Sequence, residues 1–236
     1  MNQISTITFF RFDSLAARSW AFAKIAGRQR GLKGITGQSF YKLMGSGRGR
    51  GFHPLPDWSV YSLVQVWDDE IDAEHFLAES SLMQRYRSQA DEVCTLFLKA
   101  LRARGAWSGR NPFVSHTAPD PDNPLRAVIT RATIKVSCLK KFWSYVPLSE
   151  QRLASSPGLI FAKGVGEAPF LNMATFSLWE NEESLRAYAY QDEGHRGAIT
   201  RTRDYGWYSE ELFSRFQPYR AIGRWQGVTF PAILGT

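Results

Sequence analysis

Apolar and polar residues alternate along the chain in a pattern that predicts a repeated order of strands and helices. Serines and acidic residues that precede the helical stretches mark their N-termini. In the first half we expect strands over residues 4–12, 39–44 and 60–67, helices over 14–26, 71–80 and 82–93, and a last strand within 96–107. In the second half we expect strands over 128–136, 159–163, 173–179 and 216–225, and helices over 138–145, 182–190 and 199–213.

Two tryptophan signatures repeat between the halves. Trp67 and Trp179 each end a strand-like segment, and acidic residues typical of a helix start follow both of them. Trp107 and Trp225 each stand two residues before a glycine, near the end of their half. The repeated signatures indicate that the chain arose by duplication of one unit.

This duplication predicts the fold class. Each half runs strand, helix, strand, strand, helix, strand, which is the order of a ferredoxin-like unit. We expect an α+β protein with one such half over residues 1–110 and another over 125–236, joined by a proline-containing linker over 111–124. We expect two such sheets to close into one barrel with the helices outside. In this alignment Arg11 and Arg131 occupy matching positions in the two opening strands.

Composition is that of a globular protein, with 44% hydrophobic and 14% aromatic residues. Aromatic side chains serve either as core or as the lining of a pocket for a flat apolar ligand. Cys94 and Cys138 stand far apart, so we expect no disulfide framework and a reducing, cytoplasmic setting. We also expect neither a signal peptide nor a membrane-spanning segment.

The formal net charge of +7 favours anionic partners. We expect no nucleic-acid binding, because the sequence carries no zinc-finger spacing, helix-turn-helix pattern or ribonucleoprotein signature. Basic residues concentrate within residues 28–33 and at Arg48 and Arg50. They form either a solvated loop face or a peripheral contact with anionic lipid headgroups, here those of the inner membrane.

The four histidines differ in their sequence settings. His53 and His116 lie in loop-like segments, and His75 lies inside a predicted helix, so we expect no chemistry from them. His195 stands between two glycines after an aromatic helix, where a large planar group could approach the backbone. It is either an iron ligand or a histidine that caps a helix junction.

Two basic residues could hold an anion near such a group. Arg131 lies inside a predicted strand, where a buried guanidinium needs a partner, and Lys163 directly precedes a glycine. A haem propionate, a protein carboxylate or solvent would each serve. The glycine-rich segment 45–51 lacks the ending of a phosphate-binding loop, and we find no serine-hydrolase elbow and no zinc spacing.

The chain resembles the spheroidene monooxygenases of carotenoid biosynthesis over nearly its whole length. The resemblance rests on segments distributed along both halves. These segments are residues 8–14, 15–22, 40–47, 142–143, 176–179, 194–195 and 207–213.

This resemblance implies a haem enzyme that uses O₂ and a reduced ferredoxin to introduce a keto group at carbon 2 of acyclic carotenoids such as spheroidene. It implies two successive hydroxylations and a dehydration. It also implies the fold of the dimeric α+β barrels and, by position, His195 as the iron ligand, while Arg131 and Lys163 stay the candidates for further haem-binding residues. The first half has no histidine near the matching residues 82–86, which suggests one haem per chain.

Two other functions stay open at the level of the sequence. One is a cofactor-free oxygenase of the small α+β barrel type, in which the substrate itself activates O₂. The other is a non-catalytic protein that binds haem or a carotenoid. The sequence leaves the oligomeric state, the carotenoid used, the number of oxidation steps and the distal O₂-handling residue open.

Overall fold

A closed eight-stranded barrel forms the centre of the protein in a computed structural model of the chain. The structure describes residues 3–26, 31–51, 53–115, 118–168, 170–191, 206–228 and 230–234. The strand order around the barrel is β1-β3-β2-β6-β7-β5-β8-β4, and every neighbouring pair is antiparallel. Each half contributes four neighbouring strands in the ferredoxin-like order, and the predicted α+β barrel class is confirmed.

The described part of the first half contains four strands and three helices. The strands are β1 (Ile4–Arg11), β2 (Gln38–Gly47), β3 (Pro56–Trp67) and β4 (Glu92–Gly105), and the helices are α1 (Leu15–Ala26), α2 (Glu70–Glu79) and α3 (Ser81–Gln89). The Asp69 carboxylate accepts from the Ile71 N–H, and the Ser80 hydroxyl accepts from the Leu82 N–H. These caps satisfy N–H groups at the starts of α2 and α3, where the helix itself offers no acceptor.

The second half repeats the strands with a different helical layer. Its elements are β5 (Arg126–Ile134), α4 (Leu139–Ala154), β6 (Leu159–Ala168), β7 (Asn172–Trp179), α5 (Glu182–Arg186) and β8 (Tyr208–Gly223). The Asn181 side chain caps α5 by accepting from the Ser184 N–H. Beyond Arg186 the chain continues as a π-helical turn, Ala187–Gln191. Within the described residues, no helix is long and apolar enough to cross a bilayer.

Two predicted helices are wrong over part of their length. The helix expected over residues 199–213 is a strand from Tyr208 onward, and its earlier part lies outside the described residues. The helix expected over residues 82–93 ends at Gln89, and Glu92 already belongs to β4. Strand β8 pairs with β5 on one side and β4 on the other, so two ladders of backbone hydrogen bonds outweigh local helix preference.

The hydrophobic core is divided by the sheet into an interior and an outer layer. The interior of the barrel is filled by large side chains from both halves, among them Phe9, Phe161, Phe176 and Phe216. The outer face of the sheet, which faces the helices, carries one continuous apolar cluster in the first half. Among the described residues of the second half, two separate clusters take its place. The two halves therefore share a barrel and differ in how their helices cover it.

Two equivalent turns close the ends of the barrel. Trp107 and Arg110 form one β-bridge, and Trp225 and Val228 form the other, with both tryptophans buried. The turn after β4 donates backbone N–H groups to a carboxylate of the second half, Glu210. The turn after β8 donates the Gln226 N–H to Glu92 of the first half. The turn at the end of each half is therefore held by a carboxylate of the other half.

Candidate functional site

Strand register fixes which residues of the two halves are equivalent. Ile4 lies opposite Trp67 in the first half, and Arg126 lies opposite Trp179 in the second half. When Trp67 and Trp179 are taken as equivalent, the residue numbers of matching positions in β1 and β5 differ by a constant amount. The pairing partners along each strand align the remaining strands in the same way. Side chains alternate between interior and outer face along each strand, so the alignment also matches faces.

Large side chains fill the outer face of the first half. Phe10, Leu63 and Leu43 lie there, and all three are buried in the apolar cluster under helices α1 to α3. Tyr61 and Phe97 complete the layer. Close packing of this kind leaves no space for another molecule between the sheet and the helices.

Small side chains occupy the equivalent positions in the second half. Ala132 matches Phe10, Thr175 matches Leu63 and Gly164 matches Leu43. Thr175 is partly exposed although it lies in the middle of β7, whereas Leu63 is buried. Phe213 on β8 is 39% exposed on the same face. The strands of the second half therefore place less side-chain volume on this outer face, although Ala132, at 2% exposed, and Gly164 are themselves buried.

Two apolar clusters flank this strip of small residues. On one side Trp179 packs with Leu185. The Tyr188 ring of the π-helical turn stacks on the Trp179 ring, with ring centroids 5.2 Å apart. On the other side Phe142 packs with Trp207. π-Helical turns are rare and often occur at functional sites, because they widen the helix locally. This turn leads directly toward residues 192–205.

His195, the predicted iron ligand, lies outside the described residues, as does His116. Of the two described histidines, His53 is half-buried and its Nδ1 accepts from the Leu55 N–H at 3.0 Å. His75 is exposed on α2. Both lie in the first half, away from the strip of small residues. No group of three or more metal-ligating side chains occurs among the described residues.

Arg131 and Lys163 both face the barrel interior rather than the helices. Arg131 is 4% exposed, its guanidinium pairs with Glu210, and Glu167 lies 3.8 Å away. The Lys163 ammonium donates to Asp57 at 2.8 Å. The structure thus gives each cation a protein carboxylate as partner. Contact with a haem propionate stays a prediction for both residues.

The expected match between Arg11 and Arg131 is wrong by two residues. Strand register aligns Arg11 with Thr133 and aligns Arg131 with Phe9. Both arginines face the interior, but Arg131 lies one step deeper, which explains why Arg11 is 31% exposed. Residue identity alone suggests the wrong alignment, because both strands contain an arginine, and only strand pairing reveals the shift of two residues.

A charged cluster surrounds Arg131 at one end of the barrel. Lys42 donates to Glu167 at 2.5 Å, and the indole N–H of Trp107 donates to the same carboxylate at 2.6 Å. Burial opposes ionisation of Glu210, but the N–H groups of Gly109 and Ser108 and the Arg131 guanidinium outweigh it and lower the pKa of that carboxyl. Neither Glu167 nor Glu210 is recognisable as a site residue from the sequence, because only strand register brings both carboxylates to Arg131.

Aromatic rings occupy the opposite end of the interior. The Phe9 ring centroid lies 5.1 Å from that of Phe161, 5.7 Å from that of Phe176 and 5.4 Å from that of Trp225. These buried rings fill the space enclosed by the strands. The interior therefore serves as core, and the outer face of the second half is the candidate site.

The candidate site offers few groups for acid–base chemistry. Its described surface presents threonine hydroxyls, apolar side chains and the Arg215 guanidinium, which donates to Glu182 at 2.7 Å. Such a surface can bind and orient an apolar molecule. Oxidation at an unactivated carbon there needs a cofactor or a reactive substrate, because no ordinary side chain performs it.

Three curated relatives match almost the whole chain, whereas no protein-family model matches it. The spheroidene monooxygenase of Rhodobacter capsulatus is 37% identical over 226 residues, which are 95% of this chain and 93% of the relative. The spheroidene monooxygenase of Cereibacter sphaeroides is 36% identical over 226 residues, which are 95% of this chain and 69% of the relative. That of Rubrivivax gelatinosus is 36% identical over 212 residues, 90% of this chain and 81% of the relative.

Solved structures show the same fold at low sequence identity. An aldoxime dehydratase in complex with butyraldoxime superposes with a TM-score of 0.59 at 11% identity, covering 92% of this chain and 79% of that chain. A second aldoxime dehydratase structure gives a TM-score of 0.54 at 11% identity, covering 92% and 81%. At this identity the likeness concerns the fold alone.

Proposed function

Because the chain belongs to the spheroidene monooxygenase family, we propose that it is a haem-dependent enzyme that introduces a keto group at carbon 2 of an acyclic carotenoid such as spheroidene. The observation that carries this proposal is identity of 36–37% to three carotenoid monooxygenases over 90–95% of the chain. The coarser role, a monooxygenase of carotenoids, follows from family membership. Haem dependence and the position of oxidation are the proposal.

The proposed reaction proceeds in three chemical steps. Each of two hydroxylations inserts one oxygen atom of O₂ into a C–H bond at carbon 2, and the other oxygen atom leaves as water. Each consumes two electrons and two protons, and we propose a reduced ferredoxin as the electron donor. The geminal diol then loses water and leaves the ketone.

Haem is the group that we propose for the outer face of the second half. When bound, it supplies the O₂ activation that no side chain of the chain provides. Ala132, Gly164 and Thr175 fit a flat macrocycle, because each removes the bulk that the equivalent first-half residue places against the sheet. We propose that the neutral imidazole of His195 holds the iron.

Cations on both faces of the sheet could meet the propionates. Arg215 lies on the same outer face as the proposed haem and is oriented by Glu182. Arg131 and Lys163 would meet the propionates only if those groups reached the interior, where Glu210 and Asp57 already pair with them. We therefore propose Arg215 first and keep Arg131 and Lys163 as the sequence-based alternatives.

The carotenoid end would lie against the same apolar strip. The exposed Phe213 ring, beside the residues proposed for the haem, offers a flat apolar surface, which suits a rigid polyene. The role of the protein here is to orient carbon 2 and exclude water. The carotenoid would not pass through the interior of the barrel, since buried rings fill it.

The full chain, produced with a haem supply, tests the proposal directly. We expect a Soret absorption band in the pure protein, and conversion of spheroidene to the 2-ketone with reduced ferredoxin and O₂. Ketone formation by protein that lacks the band would show a cofactor-free oxygenase instead. A Soret band without any oxidised carotenoid would show a binding protein. Either result would overturn the proposed function.

A further inference from the structure

Helix α1 turns an apolar face toward solvent. Leu15 is 81% exposed and Phe22 is 49% exposed, and their spacing of seven positions places both side chains on the same stripe of the helix. Ala16, Ser19 and Ala23 share the exposed side. The opposite side, with Ala17 and Ala21, packs on the sheet. A helix of a globular protein usually shows charged residues on its outer side, so this face calls for a partner.

The hairpin between β2 and β3 extends this apolar face. The Trp58 ring is 51% exposed and contacts the Phe22 ring edge-on, with centroids 5.2 Å apart. Leu55, which is also exposed, accepts the backbone N–H of Arg48. Helix α1 and the hairpin thus form one surface, here called the α1–hairpin surface, with an aromatic pair at its centre.

The charge around this surface is strongly one-sided. Residues 14–56 contain eight of the 29 lysines and arginines and none of the 22 aspartates and glutamates. The rest of the chain is left with 21 basic and 22 acidic residues, so this segment accounts for the whole positive net charge. Lys24, Lys33, Arg48 and Arg50 are exposed, and Lys42 points inward to Glu167.

The acidic groups near the surface are few and mostly paired. Asp57 binds Lys163, and Asp13 binds Arg11. The Glu150 carboxylate, from α4, lies beside Gly49 at the tip of the hairpin. Exposed basic side chains on helix α1 and the hairpin, Lys24, Arg48 and Arg50, accompany the apolar patch, a combination that suits an anionic bilayer.

We infer that the α1–hairpin surface docks on an anionic lipid surface, with Phe22, Trp58 and Leu15 entering the interface and the exposed lysines and arginines contacting headgroups. Tryptophan suits the boundary between headgroups and acyl chains, because its ring is apolar and its N–H is polar. A bilayer suits this surface better than a protein partner does. Anionic headgroups can pair with the exposed lysines and arginines without any matching shape, which a protein partner would need. The inference stands apart from the proposed oxidation.

Flotation of the full chain with lipid vesicles tests the inference. We expect the protein to float with vesicles of phosphatidylcholine and phosphatidylglycerol in equal amounts, and to stay behind with pure phosphatidylcholine. Raising the salt concentration from about 0.1 M to about 1 M should release it, since the Debye length falls from about 10 Å to about 3 Å. Absence of flotation, or flotation indifferent to both lipid charge and salt, would overturn the inference.

Substitutions then identify the surface. The double variant Phe22→Glu/Trp58→Glu should lower the bound fraction about tenfold, because it removes apolar area and adds repulsion. Ile71→Glu is the matched control: Ile71 is 73% exposed, but it lies between Glu70 and Asp72 on α2. Equal loss in both variants, or none in the double variant, would place docking elsewhere.

A second variant guards against misfolding. Arg48→Gln/Arg50→Gln alters only exposed side chains of the hairpin and should reduce binding to the anionic vesicles severalfold at unchanged melting temperature. If the wild-type chain is instead a dimer that the Phe22→Glu/Trp58→Glu change dissociates, and no vesicle binding occurs, the surface joins two copies of the chain and the inference is wrong.

Discussion

Arg131 occupies in the second half the register position that Phe9 occupies in the first half. Phe9 packs with Phe161, Phe176 and Trp225 at one end of the barrel. Arg131 meets carboxylates at the other end. Equivalent positions of the duplicated chain have thus become polar in one half and aromatic in the other. The outer faces have diverged as well, with large side chains in the first half and small ones in the second.

Arg131→Leu should destabilise the protein strongly. The change leaves Glu210, whose side chain is 23% exposed, without its cation, and a hydrogen bond to a charged group contributes about 1.5–3 kcal/mol. Arg11→Leu is the control, because Arg11 is more exposed and should cost about 1 kcal/mol or less. Urea unfolding at neutral pH measures both. Equal costs would contradict the assigned burial of Arg131.

The same two variants and Arg215→Leu also locate the propionates. Haem on the outer face predicts that Arg215→Leu weakens haem retention, while folded Arg131→Leu and Arg11→Leu proteins retain haem. Absorbance of haem per protein, measured after gel filtration, separates these results. Selective haem loss in Arg131→Leu would instead place the propionates in the barrel interior.

Restoring first-half residues on the outer face should close the proposed site. Ala132→Phe with Thr175→Leu adds the bulk that Phe10 and Leu63 supply in the first half. We expect haem affinity to fall about tenfold or more, because about 1.4 kcal/mol of lost contact is sufficient. Thr175→Val, which keeps the side-chain volume, is the control. Unchanged haem titration in the filled variant would exclude this face.

His195→Ala should abolish stable haem binding while the fold survives. If His195 holds the iron as proposed, its loss removes the bond between the protein and the metal, and even changes in the outer shell of a metal site cost about 10–100-fold in affinity. His53→Ala and His75→Ala should keep normal haem content, because their side chains lie in the first half. Pyridine haemochromogen absorbance gives the haem content. Haem loss in either control variant would move the ligand to that residue.

Acid should destabilise the protein partly through Glu210. Since its pKa is lowered on folding, its stabilising contribution is complete above the ordinary glutamate pKa of about 4.3 and is lost as pH falls through the lowered value. Glu210→Gln should therefore be less stable at neutral pH and show a shallower decline below about pH 5. Unfolding free energies across this range test it. Glu79→Gln, at an exposed site, should decline like the wild type.

Local pattern predicted most of the fold. Alternating apolar residues identified β1, β3 and β7 with ends within two residues of the observed ones, except for the start of β3. The repeat of Trp67 at Trp179 and of Trp107 at Trp225 predicted the doubled architecture. These signals are local or repeated, so they can be read without knowing which strands pair.

The failures concern segments whose environment is set from a distance. The start of β8 lies in a segment expected to be helical, yet it pairs with two strands. The Arg11–Arg131 match failed because residue identity carries no information on register, and a strand shifted by two residues keeps the same face. Only the partner strands distinguish the two alignments.

By itself, the sequence determined the family, the α+β class and the internal duplication, because composition, repeats and long similarity are properties of the chain alone. Tertiary structure decided which faces matter: it turned Arg131 and Lys163 into the barrel, left small residues on the outer face of the second half, and joined Phe22 to Trp58. The physical reason is that barrel closure assigns each side chain to the interior or the outer face. That assignment depends on hydrogen bonds between strands far apart in the sequence.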